Sequence, residues 1–224
     1  MATRLLLAEL ATDYQTRTGE RVQVESVGGV DAAKRVANSA QTGEVFDLVF
    51  LASDAIDKLI ASGHVDADSK VDLVHSGVAV AVKMVANVPD ISSEAAVKAA
   101  VLAAKSISYS TGPSGVALAK LFERWGIADQ IANRIVQAPP GVPVGSLVAR
   151  GEVELGFQQL SELIHLDGIS IVGSLPPAIQ ITTTFSAGVC RTSSNKDKAK
   201  AVLAFMASPA AHAAKLRQGM ALVT

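Results

Sequence analysis

Four short turns carry the residues best suited to hold a small anion. They are "SVGGVDAAK" (Ser26, Gly28, Gly29), "LASDAID" (Ala52, Ser53, Asp54), "YSTGPSG" (Ser110, Thr111, Ser114, Gly115) and "QQLSEL" (Gln158, Gln159, Ser161). Each is built from small, hydroxyl or amide residues, each runs into a helical pattern, and none holds a Lys or Arg. The first N–H groups of a helix lack intrahelical acceptors and carry partial positive charge, so such turns suit a dehydrated anion or polar solute held by neutral donors. A plain helix start reads the same way, and any one turn means little; four in one chain mean more. The fullest is "SYSTGPSGVALAK", with Ser114 expected as the N-cap and Val116, Leu118 and Leu121 following at helical spacing.

Proton-transfer chemistry needs a base within hydrogen-bond reach of an acidified C–H. Near the predicted turns the candidates are Tyr109, Glu162 and His165. Tyr109 alternates within a strand pattern, which suits a core residue. Glu162 falls in the first turn of a helix, where a carboxylate is favoured by the dipole; His165 lies one turn further on. No Ser-His-Asp set, metal-ligand spacing, G-x-S-x-G elbow or Walker loop is present, so the sequence assigns no catalytic residue, no metal and no cofactor.

The elements that must position these turns are built from an apolar chain. Of 224 residues 49% are hydrophobic and the net charge is -1, which argues against disorder and against a nucleic-acid partner held by a basic surface. Aromatics make up only 4%, too few for a stacking platform. Cys190 is the single cysteine, so an intrachain disulfide is excluded. The start, "MATRLLLAELATDYQTRTG", reads as an amphipathic helix with Leu6, Leu10 and Tyr14 on one stripe, neither a signal peptide nor a membrane span, so the chain as given is expected to be soluble.

Strand and helix patterns then alternate. "RVQVESV", "VFDLVFLAS", "SGVAVAVKMVA", "SISYS", Leu155–Gln158, "ISIVGSL" and "ITTTFSAGVC" read as strands; "GGVDAAKRVANSAQTG", "DAIDKLIASGHV", "SSEAAVKAAVLAAK" (capped by Ser92 or Ser93) and the stretch around "GSLVARG" read as helices. Pro139–Pro140 and Pro176–Pro177 mark turns, and Pro209 divides the last two helices. Alternation of this kind predicts an α/β architecture with mostly parallel sheets, whose ligands sit beyond the carboxyl ends of the strands.

The ordered run "FDLVFLASDAIDKLIASG", "VALAKLFERWGIAD", "LVARGEVELGFQQLSEL" and "KAVLAFMASPAAHAAKLRQGM" resembles the periplasmic type II solute-binding proteins, and within them the molybdate-binding branch and its relatives. The resemblance implies two lobes, residues 1–83 with 180–224 and residues 84–179, joined by crossover strands that match "SGVAVAVKM" and "AIQITTTF". It implies an oxyanion such as molybdate, or a small carboxylate, bound between the lobes and delivered to the membrane subunits of an ABC transporter. Matching contact positions are Gly28, Gly29, Ala52, Ser53, Ser110, Thr111, Ser114, Gly115, Val142 and Gln159. Gln159 stands where molybdate binders often carry Tyr, and neighbouring Gln158 is the other amide that could set ligand choice. Amides in that place favour an organic acid as ligand. Some relatives isomerise aconitate, which makes an isomerase of a small polycarboxylic acid the alternative reading. The family location is periplasmic, given a leader ahead of Met1. The family also begins with a strand that this chain lacks; direct pairing of the two strands that should flank it is expected, with strand complementation by another chain, a route to self-association, as the other outcome.

Overall fold

The structure is a computed structural model that describes residues 2–139 and 141–223; Pro140, expected in a turn with Pro139, lies outside them. The chain divides into two compact units, Met1–His75 with Thr184–Thr224, and Ser76–Thr183.

Unit 1 opens with helix α1 (Arg4–Thr18), which buries Leu6, Leu10 and Tyr14 as the stripe predicts and ends at Gly19 in the left-handed conformation. Helix α2 (Gly29–Thr42), strand β1 (Leu48–Ala52) and helix α3 (Ser53–Ala61) follow. Strand β2 (Val71–Lys83) crosses the unit boundary, so that unit 2 begins within it.

Unit 2 continues through α4 (Glu94–Ala103), β3 (Ile107–Tyr109), α5 (Pro113–Arg124), α6 (Ala128–Ile131), α7 (Val144–Arg150), β4 (Leu155–Gln159), α8 (Leu160–Leu163) and β5 (Ile169–Ser174). Ser93 is the cap of α4, its hydroxyl accepting from Ala96 N at 3.2 Å. Strand β6 (Thr182–Val189) returns to unit 1, which closes with α9 (Lys196–Ala207), α10 (His212–Arg217) and the short strand β7 (Ala221–Leu222). Pro209 opens a 3-10 turn between α9 and α10, as expected of a residue that cannot continue a helix.

The strand order is β1-β6-β2-β4-β3, with β5 and β7 also pairing with β2. Pairs β1–β6, β2–β4, β2–β5 and β2–β7 are antiparallel, and β3–β4 is parallel. The sheet is therefore mixed and mostly antiparallel, which corrects the expectation of mostly parallel sheets. The reason is topological. Strand–helix alternation fixes the direction of consecutive strands joined by a helical crossover, and β3–β4 is such a pair. The other partners come from distant parts of the chain, whose direction alternation does not govern.

A second correction concerns "RVQVESV". Residues 21–28 form no strand, and β1 pairs with β6 at the end of the strand order, so the two segments do not pair directly. Val22 and Val24 are instead held by side-chain packing on the α1–α9 core. Alternating apolar residues give a segment a face to bury, but a strand also needs a ladder partner.

In unit 2 the alternation along β2 divides two cores. Val78, Val80 and Val82 face a core with Val97, Ile107, Leu118, Phe122 and Phe157, while Ala79 and Ala81 face one with Val144, Leu147 and Val148 of α7. Small residues on that second face let α7 lie close. An added Cβ at Gly156 would come within 2.6 Å of Val148 Cγ2, and one at Gly145 within 2.5 Å of Leu166 Cδ1.

Candidate functional site

In unit 1, Gly28 is the N-cap of α2 and Ala52 that of α3; neither supplies a side-chain acceptor. Gly29 and Ser53 begin those helices, and a Cβ added at Gly29 would meet Leu51 Cδ2 at 3.7 Å, which places the start of α2 against the end of β1. The first turns also carry Asp31 and Asp54, carboxylates placed where the dipole favours them.

Unit 2 holds the other predicted residues. The helix after "YSTG" starts two residues earlier than expected: Gly112 is the N-cap and Pro113 the first helical residue, so Ser114 is a buried member of the first turn and not the cap. Proline explains the shift, because its fixed φ and missing N–H suit the first helical position. The turn closes tightly on that helix. A Cβ at Gly115 would sit 1.7 Å from the Ser110 carbonyl oxygen, so only glycine fits there without moving Ser110 to Gly112. The N–H groups of Ser114 and Gly115 lie in the first turn, where no intrahelical acceptor exists. Val142 is half-buried against the α7 core and donates its own N–H to Pro139 O at 3.0 Å.

The richest chemistry lies at the end of β4. Its register against β2, Val78 opposite Gln159 and Ala79 opposite Gln158, sends the two glutamines to opposite faces. Gln158 is on the α7 side, 3% exposed, where Oε1 accepts from Gly145 N at 3.3 Å and Nε2 donates to Glu162 Oε2 at 2.6 Å. Gln159 is 4% exposed; Nε2 donates to Thr183 Oγ1 at 3.2 Å, and its Oε1 is buried without a partner among the described residues. A fully buried serine pair lies alongside, Ser76 Oγ to Ser161 Oγ at 3.3 Å. Ser76 and Thr183 escaped sequence reasoning. The available signal was a hydroxyl inside an otherwise apolar strand run, "HSGVAVAV" for the first, with the hydroxyl-rich "TTTF" for the second.

The three candidate bases differ in setting. Burial pushes the Glu162 carboxyl above its ordinary value of 4.5, although the Gln158 hydrogen bond pulls the other way. Burial also raises the Tyr109 phenol, whose ring packs edge-on against Phe122 at 6.1 Å. Tyr109 is thus part of the aromatic packing that seats α5 beneath β3, as its alternation suggested. His165 is exposed, just past α8. Cys190 is wholly buried and its thiol is pushed up to about 12, which leaves it unreactive. Among the described residues no group of three or more His, Cys, Asp or Glu side chains could hold a metal ion, and no helix is long and apolar enough to cross a membrane.

Comparison with known proteins adds three findings. The family model described as bacterial extracellular solute-binding protein matches residues 1–221. An aconitate isomerase from a Pseudomonas species is 39% identical over 204 residues, covering 90% of this chain and 78% of that protein. Among solved structures, the periplasmic molybdate-binding protein of Azotobacter vinelandii aligns with a TM-score of 0.79 at 23% identity, over 100% of this chain and 96% of that one. The substrate-binding domain of a putative molybdenum ABC transporter from Clostridium difficile aligns with a TM-score of 0.78 at 17% identity, over the same shares. The architecture is the α/β periplasmic-binding-protein fold.

Proposed function

The chain belongs to the bacterial extracellular solute-binding protein family, and from that membership we propose that it binds a small polycarboxylate such as aconitate and isomerises it. The observation that carries this reading is the 39% identity to an aconitate isomerase across nine-tenths of the chain. The site chemistry is compatible with it. Carboxylates accept hydrogen bonds from neutral donors, and the turns at Ser110, Thr111, Ser114 and Gly115, with Gln159, offer hydroxyls, amides and backbone N–H groups. Gly28, Gly29, Ala52 and Ser53 are proposed as further contacts, and Val142 through its carbonyl or side chain.

The reaction is a 1,3-proton shift. A proton leaves the methylene carbon beside the double bond, the electron pair spreads over the allylic unit into a substrate carboxylate, and a proton returns at the far carbon. Fixed neutral donors around the carboxylates stabilise the extra charge without reorganising. No oxidant, reductant or second substrate is consumed.

A second reading has its own support. The family match and the fold shared with molybdate-binding proteins favour a ligand-binding role in ABC-type uptake from an extracellular or periplasmic location. Incubating the purified protein with cis-aconitate and following trans-aconitate by NMR separates the two. Isomer formation at a rate proportional to protein supports the enzyme; saturable binding with no conversion favours the uptake protein.

A further inference from the structure

Resting on the isomerase reading, we propose that Glu162 is the group that carries the proton between the two allylic carbons, and that Gln158 is the positioning residue that holds its carboxylate. Glu162 follows Gln158 by one helical turn's spacing, across the junction where β4 gives way to α8. The Gln158 side-chain amide is fixed at both ends. Its oxygen accepts the Gly145 N–H and its nitrogen donates to Glu162 Oε2. Flipping the amide would set a carbonyl against a carboxylate and an NH2 group against an N–H, so both contacts select one orientation.

Several other carboxylates pair with cations. Glu44 is held by Arg35, Asp66 by Lys196 and Arg191, Glu94 by Arg124, and Glu152 by Arg150. Glu162 is anchored through Oε2 by the uncharged Gln158 amide. Burial favours the protonated form, which brings the carboxyl closer to the working range of a group that must both take and give a proton.

The step balances on this one group. The substrate C–H bond breaks and its proton bonds to the Glu162 carboxylate, while the electron pair moves into the allylic system. The O–H bond then breaks, a C–H bond forms at the other allylic carbon, and the double bond has moved by one position. Glu162 ends ionised as it began.

The test uses the full chain with cis-aconitate in wild type, Glu162→Gln and Gln158→Met. Binding is read as the ligand-induced rise in Tm, and turnover by NMR. Both variants keep side-chain length, and each must show the cooperative unfolding of wild type; Glu162→Ala and Gln158→Leu replace whichever does not. The expected result is that Glu162→Gln still binds but loses at least about 100-fold in kcat. Gln158→Met is expected to lose about 10- to 100-fold in kcat with KM nearly unchanged, the split expected of misplacement and not of lost binding. A Glu162→Gln enzyme with kcat close to wild type overturns the base assignment while the isomerase reading stands. A Gln158→Met enzyme with wild-type kcat overturns the positioning role. Wild type that binds without converting overturns the isomerase reading, and this proposal with it.

Discussion

Gly115 is the residue on which the turn proposed to face the anion depends most directly. A Cβ there would lie 1.7 Å from Ser110 O, whereas one at Gly112, three residues earlier, would meet nothing closer than Ser110 Oγ at 3.6 Å. Gly115→Ala is therefore expected to cost about 1–3 kcal/mol through displacement of the turn, and to weaken ligand binding more than it weakens the fold. Gly112→Ala should cost under about 1 kcal/mol. Urea unfolding of both variants, with ligand-induced Tm shifts, checks this; equal costs at the two positions would contradict the packing argument. Asp66 supports a separate expectation. Lys196 and then Arg191 hold its carboxyl below the ordinary value of 3.8. A depressed carboxyl contributes stability above its unfolded value and loses it as pH falls through the folded one. Asp66→Asn should thus destabilise unit 1 at pH 6, and the gap to wild type should shrink once the pH drops below 3.8. A gap that is constant from pH 6 to pH 3 contradicts the pairing.

At the scale of elements, the contact between α7 and β4 links the fold to the chemistry. Gly156 lets Val148 and Val144 approach the strand, and the same approach brings Gly145 N to Gln158 Oε1. Gly156→Ala puts a methyl within 2.6 Å of Val148 Cγ2, so it should lower both stability and kcat. Adding Val148→Ala should recover part of each, and a double-mutant cycle reads the coupling; additive losses would show that the contact does not transmit. Much of this level was legible in the sequence. The Leu6–Leu10–Tyr14 stripe, the Ser93 cap and the break at Pro209 all rest on local rules that tertiary contacts did not override. The misses have physical causes. Proline moved the start of α5 ahead of Ser114, and residues 21–28 had strand periodicity without a partner to bond. The glutamine pair was visible as a motif. That Gln158 is occupied by Gly145 and Glu162 was not, because it depends on β4 register and on a helix that precedes the strand.

For the whole molecule, the family follows from the order of motifs along the chain, while strand direction does not. Pairs such as β1 with β6 join segments far apart in sequence, and no local pattern specifies whether they run parallel. Function has the same character. The fold is shared with molybdate binders at low identity, so the fold alone does not choose between uptake and catalysis. What tips the choice is the nearer resemblance to an isomerase, together with a half-buried carboxylate, Glu162, that the Gln158 amide holds in place. The most direct test starts the protein in D2O from pure cis-aconitate and, separately, from pure trans-aconitate, and follows both by proton NMR. An isomerase must bring the two mixtures to one common ratio, reached from either side. Two mixtures that remain as they began, while either ligand raises Tm, would contradict catalysis and leave a binding protein.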